Sequence, residues 1–358
     1  MKIGIYSPYL DSFGGGERYV LTTAEILAIS CKVDLLLDSH HLTLQPKTLI
    51  SDLGKRFNLN LEKINLVEVP MGRGINTIKR LLFFRSYDLL IYLTDGSIFY
   101  STARRGIIHF QVPFKNYKTR DLWGKIKAST WNLAVCNSKF TEGFIKKEWP
   151  FKTTVIYPPV DISKIKPLKK KNYILSVGRF ASFTKAKKHE EMIKTFIRLC
   201  RNKEMKGWSL HLVGSVEGDE GYIDELKELA GKNPVFFYPN LSFDRLVALY
   251  GQSKIYWHAS GFGEDDPTKM EHFGITTVEA MAGGCVPIVI NSGGQPEIVE
   301  NNKSGMLWSN LSELGQKTLQ IVNNNKLWSK LSNNARKRSN LFSKNYFKEK
   351  ILSLIRSP

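Results

Sequence analysis

The sequence reads as an α/β protein of two doubly wound parallel sheets, and three features carry that reading. Short β-branched apolar runs, such as KIGIYS at 2–7 and VPIVI at 286–290, alternate with stretches of helical apolar spacing, the order that lays helices over both faces of a parallel sheet. Near the middle, Tyr157-Pro158-Pro159-Val160-Asp161 and the lysine-rich stretch 164–171 interrupt the pattern: consecutive prolines continue neither a helix nor a central strand, and a lysine run is expected to stay solvated. The 358 residues suffice for two domains, each with its own core.

In chain order, 2–7 is the first strand, Gly14-Gly15-Gly16-Glu17-Arg18 its following loop, and 19–29 a helix. The loop is not GxGxxG and no acid follows at dinucleotide spacing, which disfavours NAD. Further strands are expected at 33–37, 65–69, 88–93, 106–109, 132–136 and 153–157. Between them, 74–84 (GINTIKRLLFF) and 115–127 (KNYKTRDLWGKIK) mix lysine and arginine with large apolar side chains, as in a helix lying on a membrane interface or an ordinary amphipathic helix on a basic protein. His109-Phe110-Gln111-Val112-Pro113 leaves a strand end, where His109 reads as a strand-end histidine or a site group, and Ser138 follows another strand as a helix cap.

The second half opens with a buried strand at 173–178 (YILSVG), then Arg179, the basic loop Lys185-Ala186-Lys187-Lys188-His189 and a helix at 190–201. Strands follow at 208–214 and 235–238, Asn240-Leu241-Ser242 opens a helix with Ser242 as cap, and 254–258 (KIYWH) is the strand leading to the densest stretch of the chain. That stretch, 261–300, holds two glutamates eight positions apart, Glu271 and Glu279. Gly274 frees the backbone ahead of a helix at 276–282, whose first N–H groups and positive dipole end suit a phosphate or a sugar hydroxyl. Gly283 and Gly284 end that helix, VPIVI is a strand covered on both faces, and NSGG at 291–294 is a second bare loop. Thr276-Thr277-Val278-Glu279 also fits a capping box, so Glu279 is either a cap or a site residue, whereas Glu271, beside His272 and Phe273, sits in a loop that needs no acid. Glu264-Asp265-Asp266 lacks a partner ligand, and no metal is expected. Strand-like 305–308 and helical segments from 312 onward, including 342–355, complete the chain.

Composition narrows the classes. The apolar fraction, 42%, is that of a soluble globular protein; no window reaches the length of a spanning helix, and the first ten residues do not make a signal peptide, so a cytoplasmic location is expected. Cys31, Cys136, Cys200 and Cys285 are far apart and read as buried thiols. The net charge of +19 splits as +9 over 1–165 and +10 over the rest, which fits nucleotide phosphates and an anionic membrane surface better than a nucleic-acid tail. A nucleic-acid-binding protein remains an alternative, without a zinc finger, helix-turn-helix or aromatic RNA platform to support it.

The segment Glu271-HFGITTV-Glu279, the small-residue turn and GGQPEIV together resemble the signature of the retaining nucleotide-sugar glycosyltransferases of family 4, densely over some forty positions. The resemblance implies the GT-B architecture, two Rossmann-like domains facing a cleft, with a hinge at the PPVD segment. It implies an acceptor domain at 1–158, a donor domain at 159–342, and a final helix, about 343–358, crossing back onto the first. It implies that Glu279 holds the donor ribose, that Glu271 with the backbone of Phe273, Gly274 and Ile275 grips the sugar, and that Arg179 and Lys187, with Lys188 adjacent, neutralise the departing diphosphate. Gly15, Gly16, Gly178, His272, Thr276 and the backbone at Leu241 would line the donor, and Gln111 and Ser138 the acceptor side. Many members carry a histidine two residues before the proline near the reacting sugar; Gln111 stands there and His109 lies four before Pro113, which puts the usual histidine role in doubt. No cofactor is implied beyond the nucleotide-sugar substrate. The expected activity is retaining transfer of a sugar to a hydroxyl acceptor, a glycan, glycolipid or lipid-linked oligosaccharide, by a cytoplasmic protein expected to be peripheral to the membrane's inner face; the alternative within the resemblance is a catalytically silent sugar-nucleotide binder.

Overall fold

A computed structural model describes residues 1–11, 14–71, 77–116, 119, 121–218 and 221–356. Contacts divide the chain into Met1–Pro159 with Asn345–Pro358, and Val160–Lys344.

The first unit holds a sheet of seven parallel strands: β1 (Lys2–Tyr6), β2 (Lys32–Leu37), β3 (Ile64–Glu68), β4 (Leu89–Leu93), β5 (Arg105–Phe110), β6 (Leu133–Cys136) and β7 (Thr153–Val155), in the order β3-β2-β1-β4-β5-β6-β7. Alternate side chains of one strand enter two separate cores. Ile3, Leu35, Leu37, Leu89 and Ile91 face one side, and Tyr6, Leu36, Leu90 and Tyr92 the other, so the near-continuous apolar runs follow from both faces being covered. Helices α1 (Gly15–Leu27), α2 (Ser39–Thr43), α3 (Pro46–Phe57), α4 (Thr77–Arg85), α5 (Leu122–Ser129) and α6 (Lys139–Glu148) make the connections. Helix α4 covers 77–84 of the expected basic stretch 74–84 and runs one residue past it, to Arg85; residues 74–76 fall outside the described residues, as do 117, 118 and 120 of the stretch 115–127.

The second unit carries a six-stranded parallel sheet and a two-stranded one. Its strands are β8 (Lys171–Val177), β9 (Phe180–Ala181), β10 (Ser209–Gly214), β11 (Val216–Glu217), β12 (Val235–Pro239), β13 (Ser253–His258), β14 (Val286–Ile290) and β15 (Met306–Trp308), ordered β12-β10-β8-β13-β14-β15, with β9 pairing β11 beside the end of the main sheet. Its helices are α7 (His189–Leu199), α8 (Gly221–Ala230), α9 (Phe243–Gln252), α10 (Ile275–Ala282), α11 (Gln295–Ile298), α12 (Leu311–Val322) and α13 (Asn325–Ser339). Entry and exit of this unit are tied together: Val160 N–H donates to the Phe342 carbonyl at 3.0 Å, and Lys344 N–H to the Val160 carbonyl at 3.2 Å. The last helix, α14 (Lys344–Arg356), returns Phe347 and Ile351 to the first unit's core.

Four expectations are corrected. Gly15 and Gly16 belong to the first turn of α1 rather than to a loop, because the Glu17 carboxylate accepts the Gly14 N–H at 2.9 Å and starts the helix there. Lys170 does not stay solvated with its run: half-buried, its ammonium donates to the carbonyls of Ser253 at 2.8 Å and Gly283 at 2.6 Å, where α9 and α10 end and carbonyls lack helical partners. Ser242 occupies the N-cap of α9 without a side-chain cap bond. Cys136 and Cys285 are buried, but Cys31 and Cys200 are only half-buried.

Candidate active site

The second sheet delivers its chemistry at the carboxyl ends of β8 and β13, where parallel α/β sheets bind ligands. Gly178 follows β8, and a side chain there would meet the Lys187 stem at 2.7 Å, so glycine is what lets Lys187 cross the strand end. The next residue, Arg179, enters β9; its Nη1 lies 2.8 Å from Glu217 Oε1 on β11, a pair set up by the small two-stranded sheet. The loop into α7 turns through Lys185 and Lys188, both left-handed at φ 46° and 56°, and so presents successive lysines in different directions. Lys188 pairs with Glu264 at 2.7 Å, which gives that acid a partner within the site.

Glu271 is the centre of the cluster. Its Oε2 receives the Lys187 ammonium at 2.7 Å and His258 Nε2–H at 3.0 Å, His258 being the last residue of β13. Burial alone would raise the Glu271 carboxyl, but the Lys187 charge and the His258 N–H outweigh it and hold the carboxyl well below its ordinary range. Burial pushes His258 down and favours the neutral imidazole, and the carboxylate acceptor at 3.0 Å calls for the proton on Nε2. The backbone of Glu271 is clamped from behind by the second glycine loop. Gly294 N–H donates to the Glu271 carbonyl at 2.8 Å; a side chain on Gly293 would stand 2.2 Å from that oxygen, and one on Gly294 2.4 Å from the His272 carbonyl.

Helix α10 begins one residue earlier than expected, at Ile275, with Gly274 as N-cap at φ 118°. A side chain on Gly274 would collide with Gln295 Nε2 at 2.2 Å, and Gln295 in turn receives Thr277 Oγ1–H at 3.0 Å, so α11 fixes the start of α10. This start overturns the capping-box alternative for Glu279. It sits in the second turn, 5% exposed, and its Oε2 accepts the Tyr250 hydroxyl at 3.0 Å. Thr276 receives the Tyr256 hydroxyl at 2.7 Å. The His272 ring donates to the Pro267 carbonyl at 3.2 Å, and Phe273 packs on Phe342. Leu241, half-buried, follows left-handed Asn240, whose side chain holds the Val216 N–H at 3.2 Å.

In the first unit the structure brings Gly16 and Gln111 together: a side chain at Gly16 would meet Gln111 Oε1 at 3.2 Å. Gly15 lies in the same helical turn. Ser138 is fully buried and caps α6 by accepting the Thr141 N–H at 3.1 Å. His109 is 2% exposed, its ring stacked on Tyr19 at 3.9 Å between centroids, and burial pushes its pKa down to about 3. Burial and stacking thus keep its ring neutral and packed within the first unit. Among the described residues no group of three His, Cys, Asp or Glu side chains gathers as metal ligands.

The residues that the sequence reading missed are His258, Tyr250 and Glu217. His258 carried the best available signal, a histidine ending the strand that leads into the glutamate loop. Tyr250 and Glu217 approach from 29 and 38 positions away in the chain and announce nothing locally.

Two parallel-sheet α/β units with this cluster at one sheet's carboxyl edge define the GT-B class of glycosyltransferase folds. The sequence profile described as Glycosyl transferases group 1 matches residues 160–338, half of the chain, and the protein belongs to that family. A GDP-Man:Man(3)GlcNAc(2)-PP-Dol alpha-1,2-mannosyltransferase of Dictyostelium discoideum is 29% identical over 65% of this chain and 48% of its own length. Its counterpart in Candida glabrata is 24% identical over 81% of this chain and 69% of its own length. The chain thus spans about half the length of the first of these relatives and about two thirds of the second. Among solved structures, a Rickettsia africae glycosyltransferase superposes with a TM-score of 0.76 at 19% identity, covering 100% of this chain and 99% of that one. Anabaena HepE in complex with UDP gives 0.76 at 19% identity over 100% of both chains.

Proposed function

We propose that the protein is a retaining glycosyltransferase that takes a sugar from a nucleotide-sugar and transfers it to a hydroxyl of a lipid-linked oligosaccharide. The observation that carries the proposal is the Lys187–Glu271–His258 cluster ahead of the start of α10, with Arg179 in the turn between β8 and β9 and Glu279 on α10. Arg179 and Lys187 neutralise the diphosphate as the glycosidic bond breaks, Lys188 adds charge nearby, and the first N–H groups of α10 face the negative ligand. Glu271, kept ionised, accepts hydrogen bonds from sugar hydroxyls, while Glu279 holds the ribose. The leaving phosphate takes the acceptor's proton at an oxocarbenium-like transition state, since no carboxylate stands as nucleophile in this reading. The acceptor meets the first unit near Gly15, Gly16 and Gln111. The names of the relatives in Dictyostelium and Candida favour GDP-mannose as donor and a pyrophosphate-linked glycan as acceptor.

A panel of GDP- and UDP-sugars scored for thermal stabilisation and for transfer tests this. One nucleotide-sugar should stabilise the protein and be consumed with retention in the presence of a pyrophosphate-lipid glycan; Glu279→Ala should mainly weaken donor binding and Arg179→Ala mainly lower turnover. A second reading, a silent sugar-nucleotide binder, rests on Gln111 standing in the histidine position with His109 buried. Donor-induced stabilisation with neither transfer nor hydrolysis would select it, and no stabilisation by any donor would remove both.

A further inference from the structure

Helices α4 and α5 pack on the same side of the first sheet, because Phe84 of α4 and Ala128 of α5 belong to one core with Phe99 and Trp131. The segment between β4 and β5 joins them: Thr102 Oγ1 donates to the Leu81 carbonyl at the α4 end, and Ser101 N–H to Thr130 Oγ1, just past α5, at 3.1 Å. The outer faces of these helices are not what a water-facing surface calls for. Trp123 and Leu122 are each 71% exposed, Ile78 66% and Leu82 62%, and Ile126 extends the apolar stripe one turn on. Single exposed apolar residues need no explanation, but five on two helices of one sheet face, tied together through Ser101 and Thr102, are more than scattered singles. Around them stand exposed Lys79, Arg85, Lys125 and Lys127, and neither helix carries a carboxylate. The acid that precedes α5, Asp121, is engaged as its N-cap, accepting the Gly124 N–H at 2.7 Å.

We infer that this face docks on an anionic lipid bilayer, with Leu122, Trp123, Ile126, Ile78 and Leu82 entering the headgroup boundary and the lysines paired with lipid phosphates. The charge sign selects this occupant: the protein carries +19, so a second copy would bring like charge against the patch, whereas an anionic leaflet neutralises it. Tryptophan at the rim of a basic, apolar helix is the composition that interfacial helices use. No helix among the described residues is long and apolar enough to cross a membrane, so the contact is with the surface. The inference stands apart from the transferase reading, because lipid binding requires no donor.

Flotation of the whole protein with phosphatidylglycerol–phosphatidylcholine vesicles and with phosphatidylcholine vesicles tests it. Binding should be strong to the first, weak to the second, and lost in high salt. Leu122→Ser with Trp123→Ser should lower anionic-vesicle affinity on the order of tenfold or more. Lys125→Gln with Lys127→Gln should lower it roughly thirtyfold, and unlike the apolar pair should leave the weak binding to neutral vesicles unchanged. Unchanged melting temperatures in both variants would show that the losses come from the surface. Equal binding of wild type and both variants, binding to neither vesicle, or a concentration-dependent dimer abolished by the apolar pair would each overturn the assignment, the last giving the face to a second copy.

Discussion

At the residue scale, the candidate site is a set of charges already paired. Arg179, Lys187 and Lys188 each meet a carboxylate, from Glu217, Glu271 and Glu264. A diphosphate must compete with these acids, so they set how tightly it is held and how readily it leaves. Arg179 and Glu217 are both well exposed, and such pairs contribute little, so Glu217→Gln should tighten nucleoside diphosphate binding by about two- to fivefold in calorimetry. No change, or weaker binding, would show that Glu217 orients Arg179 instead. The Lys187–Glu271 pair makes a pH prediction. Because the folded carboxyl lies below its ordinary 4.5, the stabilisation is fully present above that pH and is lost as pH falls through the folded value. Chemical unfolding of wild type and Glu271→Gln between pH 3 and 7, taken as roughly the range over which carboxylates titrate, should show a shallower acid decline in the variant; parallel profiles would deny the depressed carboxyl. Tyr250→Phe removes the hydroxyl that holds Glu279 and should cost about 1–3 kcal/mol of stability while weakening donor affinity.

At the element scale, the site rests on glycines that let backbones touch. Gly293 and Gly263 both have positive φ, 62° and 71°, but only Gly293 faces a backbone oxygen, that of Glu271 at 2.2 Å from its would-be side chain, while Gly263 has open space. Gly263→Ala should therefore cost about 1 kcal/mol, the conformational term alone, and Gly293→Ala clearly more, with lower donor affinity because Glu271 must move. Similar costs would show that the loop can give way. This contrast also marks what the sequence disclosed. The strand runs, the glycine loops and the two glutamates were legible because apolar periodicity and glycine have local physical meaning. The capping-box reading of Glu279 failed because Gly274, held by Gln295 from α11, moves the helix start by one residue, a tertiary cause with no local trace. Lys170 misled for the same reason: a lysine run reads as solvated until three helix-end carbonyls are folded around one member.

At the scale of the whole molecule, the chain makes two doubly wound sheets, each with its own core, and sends its last helix back to the first. Phe347 stands edge-on to Tyr19, whose ring covers His109, so the C-terminal helix helps keep that histidine buried and neutral. Phe347→Ala should destabilise the first unit by about 3–5 kcal/mol, read as an earlier unfolding transition, with nucleotide affinity unchanged. An undiminished first transition would put the helix outside that core. The burial of His109 depends on helices at both ends of the chain and could not be read from its strand alone.

The central claim is that Lys187, Glu271, Arg179 and Glu279 together hold a diphosphate-linked sugar. Calorimetric titration of GDP-mannose, or the donor that the panel selects, into wild type, Lys187→Ala and Glu279→Ala tests it directly. A single site is expected, with an affinity that falls on the order of tenfold or more in each variant, since each loses a charge-assisted contact. Equal affinity in all three proteins would contradict it.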